Sequence, residues 1–128
     1  MMSTQVATET VDPKIQAALA NIVNAEKVIA LSDAVKRLQQ SDDYKLVIEE
    51  GYLKEEAERI FEVITEPTIA NRDVINNLID EITSIRKLKT YIDMIPTKAW
   101  NAKKIINDEE ALITSIENGT YEDPMDAE

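Results

Sequence analysis

Between Leu78 and Ile113 an apolar or small residue returns every seven positions: Leu78, Ile85, Ile92, Ala99, Ile106 and Ile113. A second series, Leu88, Ile95, Ala102 and Ile116, follows members of the first by three. A rhythm of threes and fours held this long belongs to a helix that buries a narrow stripe against another helix at a shallow angle. The seam is imperfect, because two positions of the second series carry Glu81 and Glu109. Ile75 and Ile82 widen the stripe near its start. The pattern predicts one long helix over about 70–118, ended by the Asn118-Gly119 pair, which suits a helix C-cap. Pro96 falls inside it. A proline removes one backbone hydrogen bond and crowds the preceding turn, at about 3 kcal/mol in a helix interior. The heptad keeps its phase across Pro96, so a kink is expected in preference to two helices.

A second long helix is predicted over about 13–40. Asp12 can cap its free N–H groups, and Pro13 fits the first helical position, where its missing N–H costs nothing. Ile15, Leu19 and Ile22 lead into Val28, Leu31, Val35 and Leu38, whose 3-4-3 rhythm reads as the seam. Between the long helices, Ser41 with Asp42 and Asp43 reads as a turn and a new N-cap, Tyr44–Ile48 as a short helix, and Gly51 as its end or a bend. Lys54–Thr65 reads as another short helix with Ala57, Ile60, Phe61 and Ile64 on one face, stopped near Pro67. With only two glycines and four prolines, the chain lacks the turn residues of a β-sandwich or doubly wound sheet. The expected fold is all-α: an elongated antiparallel helical hairpin with two short helices between its arms. The domain spans 12–118, preceded by a flexible arm at 1–11 and followed by an acidic disordered tail at 119–128.

Composition narrows the chemistry. There is no cysteine and no histidine, so disulfides, thiolate metal sites, thiol nucleophiles and the commonest general base are excluded. The carboxylate pairs Asp42-Asp43, Glu49-Glu50 and Glu55-Glu56 and the run Asp108-Glu109-Glu110 fit no calcium-loop spacing and read as solvated helix faces. Two distant glycines cannot form a phosphate-cradling loop. No catalytic residue, metal ligand or cofactor site is expected, and the chain is read as non-enzymatic. No apolar run reaches the length of a membrane span. The N-terminus lacks a basic start followed by an apolar stretch, so a cytoplasmic location is expected.

The net charge of -11 argues against direct nucleic-acid binding and against anionic membranes. It is unevenly spread. Arg86, Lys87, Lys89, Lys98, Lys103 and Lys104 face Asp93 alone within 84–104, whereas acids dominate on both sides. The basic stretch is expected to answer the acidic first helix or the tail; its functional reading is a dock for an acidic partner. Trp100 and Tyr91 are expected in the core or at the seam rim, with interface anchoring as the alternative. Tyr44 and Tyr52, eight residues apart, are placed to pack against the hairpin. Arg86, Lys87, Lys89, Tyr91, Trp100, Tyr44 and Tyr52 are thus the candidate partner-binding residues.

The stretch Asp43-Tyr44-Lys45-Leu46-Val47-Ile48-Glu49-Glu50-Gly51-Tyr52-Leu53-Lys54-Glu55-Glu56-Ala57, centred on Glu50-Gly51-Tyr52-Leu53, resembles a family of small acidic proteins of tailed bacteriophages. The resemblance covers roughly 28–117; Pro96 departs from the uninterrupted long helix that the family leads one to expect. It implies a phage origin, a place among virion-assembly genes, and no catalytic residues. The function expected on these grounds is a non-enzymatic interaction or assembly protein that works through helical packing surfaces. Its partner would be a phage structural protein or a host protein, with a homo-oligomer also compatible. Its place would be the cytoplasm of an infected cell or the virion. The alternative is an inhibitor of a host protein acting as an acidic nucleic-acid mimic.

Overall fold

The computed structural model describes residues 12–68 and 71–122, and every regular element among them is helical. In chain order these are α1 (Pro13–Gln39), α2 (Asp42–Tyr44), a π-helical segment (Lys45–Glu56), α3 (Ala57–Ile64) and α4 (Arg72–Glu117). The expected all-α class with two long helices and shorter helical structure between them is observed. The chain forms two compact units, to both of which α1 and α4 contribute: residues 1–30 with 98–128, and residues 31–97. The arm at 1–11 and the last residues of the tail, 123–128, lie outside the described residues.

The helix ends follow local chemistry. Asp12 accepts a 2.8 Å hydrogen bond from the Lys14 amide, so the expected N-cap of α1 is in place. The Ser41 hydroxyl accepts from the Tyr44 amide at 3.3 Å and caps α2. Asn71 accepts from the Asp73 amide at 2.9 Å and starts α4. At the far end of α4, Gly119 takes a φ of 72°. The Thr120 amide then reaches the Ser115 carbonyl at 2.8 Å and the Gly119 amide the Ile116 carbonyl at 3.1 Å, the paired bonds of a Schellman cap. Thr120 and Tyr121 are held by this cap, so order extends past Gly119, the expected start of the tail.

In the unit of residues 31–97, the core is Ile60, Leu78 and Ile85, with Tyr52, Leu53, Ala57, Val63, Ile64 and Ile82 packed around it. Helix α3 and the π segment are therefore pinned to the first half of α4, as the heptad requires. In the unit of residues 1–30 and 98–128, α1 and α4 run antiparallel. Lys14 lies over the Tyr121 ring at 4.8 Å, and Asn21 donates to Glu109 at 3.4 Å. The described side chains buried there are all alanines, Ala18, Ala25, Ala99 and Ala102. Alanines at a crossing let helix axes come close, and close backbones then define the seam.

Several expectations are corrected. The seam of α1 does not run through Leu31 and Leu38, which are 42% and 51% exposed. Its inward residues are Ala18, Ala25 and Ser32, again seven apart. The two short helices are one helical run, and Gly51 does not end it, because it lies inside the π segment. A Cβ added at Gly51 would stand 3.1 Å from the Leu46 carbonyl oxygen, five residues back. Five residues is the reach of a π-helical bond, so a bare Cα suits this close approach. Phe61 does not share the buried face of Ile60; it is 66% exposed. By contrast, helix α4 passes through Pro96 as one element, in keeping with the unbroken phase of the heptad.

Ile60 has no exposed surface and Phe61 is mostly in solvent, so neighbouring truncations should differ sharply. Ile60→Ala should cost about 2–5 kcal/mol in urea unfolding, and Phe61→Ala about 0.5 kcal/mol or less.

Candidate interaction surfaces

The basic turn of α4 divides over the helix surface. Arg86, Lys87 and Lys89 are all exposed. At 3.6 residues per turn, Lys87 shares a side with Tyr91 and Met94, whereas Arg86 shares one with Lys89 and Asp93. Lys89 pairs with Asp93 at 3.0 Å, one turn along the same helix. Among the described residues Arg86 and Lys87 have no ion pair, and none joins the basic stretch to α1. The expected pairing of these bases with the first helix is therefore not seen among the described residues, and tail residues 123–128, the other half of that expectation, lie outside them; Lys89 is satisfied locally, and Arg86 and Lys87 project as cations.

The tyrosines separate in the same way. Tyr44 is buried, and Tyr52 is half-buried against the Ile60 core. Tyr91 is 53% exposed beside Met94, itself about half exposed, so it does not belong to the core. Trp100, in the other unit, departs from the expected place in the core or at the seam rim; it is 67% exposed on α4. The heptad accounts for this, because Trp100 directly follows the inward Ala99, and one helical step turns a side chain by about 100°.

A cleft of about 320 Å³ in the unit of residues 31–97 brings Tyr44 and Lys89 together with Gln39, Glu49, Leu53, Lys54, Ile92 and Asp93. Two lysines and two carboxylates balance in charge around the phenol. Burial, followed by the charges of Glu49 and Asp93, holds the Tyr44 hydroxyl above the usual tyrosine range. Elsewhere in this unit Arg59 hydrogen-bonds Glu56 and lies 3.6 Å from Glu81. The hydrogen bond, more than the charge, holds the Glu56 carboxyl below its ordinary value. This is a surface pair on solvated helix faces and contributes little to stability. The polar walls of the cleft can hold a side chain from a partner, and nothing in their arrangement activates a nucleophile.

Another concavity lies in the unit of residues 1–30 and 98–128. It is a groove of about 520 Å³ between α1 and α4. Ala25, Val28, Ala102 and Ile105 form its apolar floor, and Asn21, Asn24, Asn101, Lys98 and Glu109 its polar rim. The seven-residue pattern places Ala102 and Glu109 on the seam, but gives no signal for Ile105 or the asparagines, which lie off it. Nor does it mark Leu46 and Val47, both of which the π segment turns into solvent.

Among the described residues no three acidic side chains converge in a way that could hold a metal ion. No helix among them is long and apolar enough to cross a membrane. No protein-family model matches the chain, and no curated protein or solved structure matches it.

A tyrosine whose folded value is raised stabilises the fold fully below its unfolded value near 10, and that contribution is lost as pH rises through the folded value. In an alkaline absorbance titration, one of the four tyrosines should therefore ionise after the others. Tyr44→Phe should remove that late step and flatten the loss of stability above about pH 10.

Proposed function

We propose that this chain is a non-catalytic interaction protein that offers preformed helical surfaces to a protein partner, in the setting of tailed-phage assembly to which the Asp43–Ala57 stretch points. The observation that carries the reading is Trp100, two-thirds exposed on a long helix. A tryptophan in water forgoes a large apolar contribution, and tryptophans are over-represented among the residues that dominate binding energy. Leu46, Val47, Tyr91 and Met94 add further apolar side chains that the fold itself does not bury. Because they stand on hydrogen-bonded helical backbone, little ordering entropy is lost when a partner covers them.

The charge supports the same reading. Lys87 projects beside Tyr91 and Met94 without an ion pair among the described residues, and an aromatic, a methionine and a cation make a surface suited to a partner with an acidic rim around an apolar pocket. The rest of the chain is acidic, which repels phosphate and favours protein over nucleic acid as the ligand.

A tagged chain recovered from infected cells should bring down a phage structural protein in stoichiometric amount. Trp100→Ala should lower that recovery by about tenfold or more, the scale of an interface anchor, while circular dichroism stays unchanged because the side chain is not part of the core. Loss of helix in the variant would contradict its exposed placement, and equal recovery by both chains would remove Trp100 from the interface.

A further inference from the structure

The groove between α1 and α4 contains its own complement. Lys98 stands at one end and Glu109 at the other, with Ala102 and Ile105 between them. Lys98 and Glu109 are eleven residues apart on one helix, about 16 Å at 1.5 Å per residue. A ligand that fits must present an acid opposite Lys98, a base opposite Glu109, and an apolar face between, over the same span. The 98–109 face of α4 does this when it is turned end for end. We propose that the groove is closed by a second copy of this chain, its α4 antiparallel to the first. A two-fold axis would pass beside Ala102 and Ile105, and Lys98 of each protomer would meet the partner's Glu109.

Three further observations favour a second copy over an unrelated helix. Glu109 occupies a seam position where the heptad calls for an apolar residue, and it is partly buried. Its hydrogen bond within the chain is a long one, 3.4 Å from Asn21, so a carboxylate with several acceptor sites has capacity left for a cation. Lys98 makes no ion pair among the described residues. The rim asparagines each carry both a donor and an acceptor, which pairs well with an identical set across a two-fold axis. Among its described residues the unit buries only alanines and leaves Ile105 43% exposed. Two such helix pairs, face to face, would form a four-helix bundle in which Ile105 and Val28 are covered.

This inference rests on the reading of the chain as an interaction protein, and the two are separable. Sedimentation velocity of the full chain over a wide concentration range should show a monomer–dimer equilibrium. Lys98→Glu and Glu109→Lys each place like charges together at two symmetric sites, and each should weaken the dimer by about tenfold or more. Mixed in equal amounts, the two variants should recover a dimer, because position 98 of each variant then faces the opposite charge at position 109 of the other. Ile105→Glu, near the axis and already partly in solvent, should abolish the dimer with helicity retained. A wild-type chain that stays monomeric overturns the proposal, as does a dimer indifferent to both charge reversals, or a mixture that fails to pair. If the monomer still captures its partner through Trp100, the dimer alone is wrong. If the dimer forms and recovery is indifferent to Trp100, the partner reading is what fails.

Discussion

The fold depends on one constraint: a single stripe along α4 has to be taken out of water, in a chain without cysteine and with no sheet among the described residues to stand in for it. Leu78 and Ile85 meet it by packing with Ile60, and Ala99 and Ala102 by lying against α1. The two solutions use different physics. Around Ile60, large side chains interlock and the gain scales with the apolar area removed from water. Along the alanines, little area is removed per residue, and what counts is how near two backbones can come. One repeat thus serves a bulky core in one unit and a close helix contact in the other.

That difference explains which parts of the sequence are readable. The stripe of α4 is legible because it combines the right period with large residues, and Leu78, Ile85 and Ile95 are all buried. The stripe of α1 is not, because hydrophobicity points to Leu31 and Leu38, whereas fit selects Ala18, Ala25 and Ser32. Both sets satisfy a helical period, and the sequence of one helix does not say whether its partner needs bulk or nearness. Helix caps at Asp12, Ser41 and Asn118-Gly119 are legible because they depend on a few adjacent residues. Ile60 and Phe61 lie next to each other on α3, about 100° apart, so a narrow buried stripe takes Ile60 and turns Phe61 into water, a choice that the period alone does not make.

The candidate residues separate along the same lines. Tyr44 and Tyr52 pack inward as their spacing indicates, and Lys89 joins the cleft beside Tyr44. Trp100 and Tyr91 turn outward, since aromatic character alone carries no direction. Lys89 finds its counter-ion within its own helix, four residues away, which is the commonest answer for a surface base and needs no fold to arrange it. The groove between α1 and α4 is the least visible feature. It is made by residues adjacent to the seam, and becomes apparent only once two helices lie side by side.

The π segment at Lys45–Glu56 uncouples the phase of α2 from the phase of α3. A wider turn advances each side chain by a smaller angle than an α-helical one, so over twelve residues the accumulated lag is a large fraction of a revolution. The face that α3 offers to α4 is therefore not the face that α2 begins. Selection on Ala57, Ile60 and Ile64 can proceed without dragging the residues around Tyr44 along with it. A continuous rod thereby gains something usually supplied by a loop, a change of direction for its side chains, while its backbone hydrogen bonding runs on.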